Sequence, residues 1–207
     1  MNATEKPQPG PIVLRKAELR REMTARRDAL SEDERRRLAE ALVASLVKLP
    51  RYGAARSVLA TMAIGSEWNT RPFIDRALAD GKSVVLPRIT PPPRHLEIHV
   101  VRDLERDLVP GIWNIPEPDP KRCPRVAIED VDFALVPALV VGEDGYRIGY
   151  SAGYFDGLLA GRTASTYCVT ALPSLFVVAS VPHEGHDQPL DLIVDEHGAR
   201  PTRDAKA

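Results

Sequence analysis

The alternation of apolar and polar positions along the chain predicts two helices, then short buried strands separated by helices and proline-rich loops. From Val13 to Leu30 the pattern suits a charged helix. Ser31-Glu-Asp-Glu34 follows as a capping box, in which the serine side chain serves the third helical amide and the glutamate returns to the serine amide. Leu38, Ala41, Leu42, Ser45, Leu46 and Leu49 then fall on one face at helical spacing. Arg35 to Arg37 read as a solvated face, because acidic residues are interleaved throughout the region.

Ser57-Val-Leu-Ala-Thr-Met-Ala63 reads as a buried strand. Thr70 is placed as the cap of a helix with Pro72 in its first turn, running to Ala79 and ended by Gly81. Ser83 to Pro87 is a further strand, so strand, helix and strand form a βαβ unit and imply a parallel sheet covered by helices. Leu96 to Val101, Phe133 to Val140 and Tyr167 to Ala171 complete the central strands. Proline-rich loops interrupt them at Thr90–Arg94 and Pro110–Pro124. The expected architecture is a three-layer α/β/α sandwich with a mainly parallel central sheet, a single domain over residues 13–200 between tails at 1–12 and 201–207. In open parallel sheets ligands collect beyond the C-terminal ends of the strands. The loops after Ala63, Val141 and Ala171 should therefore meet at one pocket.

Composition narrows the function classes. The 28 Lys and Arg against 29 Asp and Glu leave a net charge of −1, so no global field attracts nucleic acid or an anionic membrane. The two cysteines, Cys123 and Cys168, lie 45 positions apart outside any CxxC and read as ordinary reduced thiols. The first residues lack the apolar core of a signal peptide, and the apolar runs are too short to span a bilayer. The expected location is cytoplasmic, with neither nucleic acid nor membrane as a partner.

The most informative stretch is Asp144-Gly-Tyr-Arg-Ile-Gly-Tyr-Ser-Ala-Gly-Tyr-Phe-Asp156. It follows the apolar run Phe133–Val141 and leads into another, Tyr154–Ala160. Strand, glycine-rich loop and helix start together aim backbone amides at a phosphate. Glu67, Arg147, Asp156 and the acidic loop near the end of the sequence become candidates for the same pocket. His183 and His186 have no companion His or Cys at ligand spacing and read as surface histidines.

Six blocks, in order, resemble the 5-formyltetrahydrofolate cyclo-ligase (5,10-methenyltetrahydrofolate synthetase) family. They are Lys16-Ala-Glu-Leu-Arg20, Gly65-Ser-Glu-Trp-Asn-Thr70, Gly81-Lys-Ser-Val-Val-Leu-Pro87, Trp113-Asn-Ile-Pro-Glu-Pro118, Gly145 to Asp156, and Pro182-His-Glu-Gly-His-Asp-Gln-Pro-Leu-Asp191. The resemblance runs from about Lys16 to Glu196. It implies closure of the imidazoline ring of 5,10-methenyltetrahydrofolate from 5-formyltetrahydrofolate, with ATP as co-substrate, Mg²⁺ as cofactor and a monomeric enzyme.

The same resemblance implies the roles of individual residues. Lys16 and Arg20 match the family's N-terminal ATP-contacting pair, and at i, i+4 they share a helix face. Arg147, with Ile148, Gly149, Tyr150, Ser151, Ala152, Gly153, Tyr154 and Phe155, would cradle the phosphates; Arg147 and Tyr154 are the catalytic candidates. Asp156 and Asp187 match the family's Mg²⁺ ligands, and carboxylates suit that ion. Glu67 matches the acidic residue that accepts hydrogen bonds from the pterin-like ring. Met62, Trp113 and Tyr150 to Tyr154 would complete the folate pocket.

The chain departs from the family's glycine loop at three positions. Ser151 stands where a middle glycine is usual, Phe155 replaces a second tyrosine, and Gly157 replaces a frequent arginine. A glycine adopts positive φ freely and lets backbone approach a phosphate. Serine adds a Cβ that crowds the loop, or a hydroxyl that donates a new hydrogen bond. Two readings stay open at this point: an active cyclo-ligase, and a non-catalytic or altered-substrate paralogue that binds folate or nucleotide.

Overall fold

The computed structural model describes residues 10–150 and 153–203. Ser151 and Ala152, both expected in the phosphate loop, lie outside the described residues, as does most of the expected N-terminal tail. The helices are α1 (Pro11–Asp28), α2 (Glu32–Leu46), α3 (Pro50–Ala54), α4 (Arg71–Ala79) and α5 (Tyr154–Leu159). Helix α1 starts two residues earlier than the pattern predicts, with Pro11 in its first turn, where a missing amide costs nothing. The capping box forms as expected, with Ser31 Oγ accepting from the Glu34 amide at 3.3 Å and Glu34 Oε2 accepting from the Ser31 amide at 2.9 Å. Thr70 is not a side-chain cap. It already has helical dihedrals, unlike the extended backbone a capping residue needs, and its hydroxyl donates instead to the Thr61 carbonyl at 2.6 Å.

The strands in chain order are β1 (Ser57–Leu59), β2 (Ser83–Ile89), β3 (Leu96–Val101), β4 (Leu108–Pro110), β5 (Pro116–Pro118), β6 (Arg125–Val126), β7 (Phe133–Leu135), β8 (Val140–Gly142), β9 (Arg147–Ile148), β10 (Tyr167–Ala171), β11 (Val177–Val178), β12 (Leu192–Asp195) and β13 (Gly198–Pro201). Eight of them form the main sheet, in the order β13-β12-β10-β7-β1-β2-β3-β6. The five central strands, β12 to β2, run parallel. Antiparallel strands close both edges.

Because neighbouring residues in a strand face opposite ways, each central strand feeds two cores. Val58, Val84, Leu86, Phe133 and Val169 pack against Leu42 and Leu46 of α2, Tyr52 of α3, and Phe73 and Ile74 of α4. Leu59, Val85, Ala134 and Cys168 point the other way, toward Ile128 and Leu159 of α5. The fully buried leucines Leu42 and Leu46 each contribute about 1.5–3 kcal/mol of transfer free energy. The three-layer α/β expectation holds.

The second layer holds more than helix. The apolar run expected as one strand from Phe133 to Val140 divides into β7 and β8, which belong to different sheets. Pro137 lies between them; it lacks an amide to continue the main ladder. Strand β8 joins β9 and β11 in a small three-stranded sheet, and α1 covers it through Leu19 and Met23. At the other end the fold extends past the expected boundary at residue 200. Pro201 pairs with Leu192, and buried Thr202 donates to the Leu190 carbonyl at 2.6 Å. The Arg203 amide donates to the Glu143 carbonyl at 2.9 Å. These bonds clamp the turn at Gly145, whose φ of +91° only glycine adopts readily. Among the described residues no helix is long and apolar enough to cross a membrane.

Candidate functional site

A cleft of about 660 Å³ opens at the carboxyl ends of the parallel strands. Thr61, Met62, Ile64 and Glu67 enter it from the loop after β1, Ile89 from the end of β2, and Pro137 from the turn after β7. Helix α1 adds Val13, Lys16 and Arg20, and β9 with the glycine loop adds Arg147 to Tyr150 and Gly153 to Asp156. The loop before β12 adds Glu184, His186 and Asp187. The segment after β10, expected to share this pocket, instead lines a small adjoining cavity of about 40 Å³.

One end of the cleft is built from alternating charges. Lys16 is 7% exposed, and its Nζ lies 2.6 Å from Asp187 Oδ2 and 3.1 Å from Glu184 Oε2. One turn later, Arg20 Nε donates to the Gly149 carbonyl at 2.9 Å and tethers the start of the glycine loop. Arg147 sits in β9 rather than in the loop itself and is 8% exposed. Its Nη2 lies 3.2 Å from Asp156 Oδ1, and its Nη1 donates to the Gln188 carbonyl at 2.9 Å. The Gln188 amide donates to the same Asp156 oxygen at 3.1 Å. Burial pushes the Asp187 carboxyl up, but the bonds from Lys16 and the Glu184 amide more than offset it and hold the group below its ordinary range.

Both aspartates expected to hold Mg²⁺ thus face cations expected to hold phosphate. Each pairing uses one oxygen, Oδ1 of Asp156 and Oδ2 of Asp187. The second oxygen of each carboxylate is a hard donor of the kind Mg²⁺ takes, so the donor set fits the ion. Ligand atoms of Glu184, His186 and Asp187 also lie within 4.8 Å of one another. His183 and His186 are exposed, as expected, and His183 stacks on Tyr146 at 3.7 Å between ring centres.

The other end of the cleft is mainly apolar and carries two acids, Glu67 and Glu117. Glu67 Oε2 accepts from the Ile64 amide at 2.8 Å. Burial raises the Glu67 pKa, opposed by the Ile64 amide, by the Tyr150 hydroxyl and by the Arg27 charge. Arg27, on the last turn of α1, bonds through Nη1 to the Tyr150 hydroxyl and through Nε to Ser66 Oγ at 2.9 Å. Met62 is half-buried at the edge of the main core and faces the cleft.

Of the residues expected to form the site, Lys16, Arg20, Met62, Glu67, Arg147 and Asp187 all reach this one cleft. So do Ile148, Gly149, Tyr150, Gly153, Tyr154, Phe155 and Asp156. The backbone of Trp113 forms part of a 3₁₀ turn at Ile112–Asn114, directly before the cleft residues Ile115 and Pro116. Two groups escaped the sequence-based expectations. Arg27 is one; in a helix dense with arginines nothing in its spacing distinguishes it. Glu117 is the other, 4% exposed, with Oε2 unbonded among the described residues and 3.7 Å from Arg88. Its proline-rich block is the signal that could have found it. The same side chain explains Gly111, where an added Cβ would lie 2.2 Å from Glu117 Cδ.

Comparison with known proteins bears on this arrangement. A model of the 5-formyltetrahydrofolate cyclo-ligase family matches residues 13–196. The chain is 30% identical over 174 residues to the 5-formyltetrahydrofolate cyclo-ligase of Mycolicibacterium smegmatis, covering 83% of this chain and 89% of the relative. It is 24% identical over 186 residues to that of Mus musculus, covering 86% and 92%. The fold matches the NMR structure of Aquifex aeolicus 5,10-methenyltetrahydrofolate synthetase with a TM-score of 0.80 and 32% identity, over 93% of this chain and 95% of that one. It also matches the fold of the Mycoplasma pneumoniae synthetase, with a TM-score of 0.71 and 19% identity over 87% and 98%. The chain therefore belongs to the 5-formyltetrahydrofolate cyclo-ligase family.

Proposed function

We propose that the protein converts 5-formyltetrahydrofolate and ATP to 5,10-methenyltetrahydrofolate, ADP and phosphate, in a Mg²⁺-dependent reaction. The observation that carries this reading is the cleft that joins a cation-rich end to a mainly apolar end bearing the acid Glu67. The formyl oxygen attacks the γ-phosphorus of ATP and ADP leaves. N10 attacks the activated formyl carbon, its proton is lost, and the former formyl oxygen departs with phosphate as the ring closes. No covalent bond to the protein is required, so positioning and charge neutralisation are the main demands.

Lys16, Arg20 and Arg147 neutralise the triphosphate, and Arg20 also fixes the loop that covers it. Tyr154 and Phe155, at the start of α5, line the cleft and flank the reacting groups. Glu67 accepts hydrogen bonds from the ring N–H groups of the folate, and Met62 belongs to its apolar wall. Asp156 and Asp187 would hold Mg²⁺ through their second oxygens. When bound, the ion screens phosphate charge and orients the γ-phosphoryl group.

The test mixes purified protein with ATP, Mg²⁺ and 5-formyltetrahydrofolate at mildly acidic pH and follows the near-ultraviolet absorbance of the conjugated product. ATP-dependent product supports the proposal. Its absence at high enzyme concentration, with ligand binding retained, identifies a binding paralogue instead.

A further inference from the structure

Glu67 stands on the partition between the main cleft and the small adjoining cavity, which share Thr61, Glu67 and Pro137. Arg27 lines the small cavity only, behind Glu67 as viewed from the main cleft. It is 9% exposed, although it ends a helix whose other arginines are mostly solvated. Its contacts run in two directions. Toward the loop after β1, Nε donates to Ser66 Oγ, and Ser66 in turn donates to Asp28. Toward the glycine loop, Nη1 donates to the Tyr150 hydroxyl, and the guanidinium carbon lies 5.3 Å from the centre of the Tyr150 ring. Tyr150 and Arg27 both oppose the burial that raises the Glu67 pKa, so both lie close to that carboxylate. One cation therefore ties the end of α1 to two separate loops, both at the apolar end of the cleft.

We propose that Arg27 is a positioning residue for the folate end: it holds Tyr150 and the Glu67 carboxylate in the arrangement that receives the pteridine ring. This inference rests on the reading of Glu67 as the ring-binding acid. Arg27 has no place in the main cleft, so it acts through Tyr150 and Glu67 and not by touching substrate. The planar fork of arginine is required, because it serves Ser66 and Tyr150 with two differently directed N–H groups while lying over an aromatic ring. A lysine supplies the charge from one point and cannot make both bonds in that geometry.

The experiment compares wild type with Arg27→Gln, Arg27→Lys and Tyr150→Phe. It measures KM for each substrate, direct calorimetric binding of 5-formyltetrahydrofolate without ATP, and thermal unfolding. Arg27→Gln should weaken folate binding roughly tenfold or more, the loss typical of a hydrogen bond to a charged group. KM for ATP should stay within about twofold, and Arg27→Lys should recover part of the folate loss. Tyr150→Phe should weaken folate binding in the same direction, and the double variant should be no worse than Arg27→Gln, because both remove one link.

Folate binding unchanged in folded Arg27→Gln, or equal losses for ATP and folate, overturns the proposal. If Arg27→Gln does not fold, Tyr150→Phe breaks the same link from a half-exposed side chain, and unchanged folate binding there overturns it. A wild type that binds and turns over folate, with variants that match it, removes this inference and leaves the cyclo-ligase reading intact. A wild type that neither binds nor converts the folate removes both.

Discussion

Lys16 in the first helix and Asp187 in the loop before β12 are held with Nζ and Oδ2 2.6 Å apart, across 171 positions of sequence. In the proposed reaction the lysine serves phosphate and the aspartate serves Mg²⁺. The two side chains neutralise each other inside the cleft. Arg147 and Asp156 repeat the arrangement from strand β9 to helix α5. Phosphate and Mg²⁺ would thus meet a set of charges that the fold already holds in place, which lowers the reorganisation the proposed reaction demands.

Lys16→Met should raise KM for ATP by roughly ten- to a hundredfold, the loss of one or two charge-assisted contacts, while folate binding changes little. It also leaves Asp187 and Glu184 facing each other without their cation. Steady-state kinetics with each substrate varied in turn checks the split. Because the Asp187 pKa is held low in the folded protein, its stabilisation is present above its ordinary pKa and is lost as pH falls through the depressed value. An acid titration of the variant should therefore show a shallower loss of stability than wild type.

Asp156→Asn should impair use of Mg-ATP far more than folate binding. The amide keeps the shape and can still accept from the Gln188 backbone, but it cannot neutralise buried Arg147. A Mg²⁺ titration at fixed ATP should shift to higher metal, with the folate dissociation constant within about twofold of wild type. Equal losses for both ligands would show that Asp156 serves the fold alone.

Glu67 is expected to govern the pH dependence of folate binding. Burial, the largest influence, raises its pKa, so the neutral form persists to higher pH than for a solvated glutamate. For folding alone, this group favours the native state at low pH and loses that contribution as pH rises through the raised value. Ring binding needs the ionised carboxylate as a pure acceptor, so the sign for affinity is opposite. KM for folate should climb as the solution is acidified, and Glu67→Gln should raise it at neutral pH and flatten its pH profile.

Neither cysteine should react in the native protein. Burial pushes the Cys168 thiol up to about 11, and Cys123 is raised for the same reason. Both are buried and free. A thiol reagent at pH 8 should modify neither residue until denaturant is added, and both afterwards.

Gly145→Ala should destabilise the fold by about 1–3 kcal/mol, because a non-glycine residue is forced to positive φ. An added Cβ would also lie 2.8 Å from the Leu190 carbonyl oxygen and 2.9 Å from Thr202 Cβ. Urea unfolding measures the loss.

Much of this architecture was legible from local pattern. Leu96–Val101 and Tyr167–Ala171 are strands over their full expected lengths, because each is rich in apolar and β-branched residues and bounded by loop residues. Lys16, Arg20, Glu67 and Asp187 were legible through short blocks that resemble a family, and their convergence follows from placing ligands at the carboxyl ends of a parallel sheet. What stayed hidden depends on tertiary contact. The division of β7 from β8 turns on one proline inside an apolar run that otherwise scans as a single strand. Strand β13 is made largely of Gly198, Ala199, Arg200 and Pro201, with no apolar alternation to read. Arg27 differs from its neighbours only in what folds against it.

The clamp of Thr202 and Arg203 on the Gly145 turn also sets an order of events during synthesis. The turn leads directly into Arg147, so the strand that carries this arginine is made well before the segment that braces it. Lys16 likewise emerges early and waits for Asp187. A nascent chain can complete the main parallel core pairwise as its strands appear, yet it cannot present a finished cleft until β12 and β13 have been made. A fragment that stops before β12 would lack the brace on the Gly145 turn.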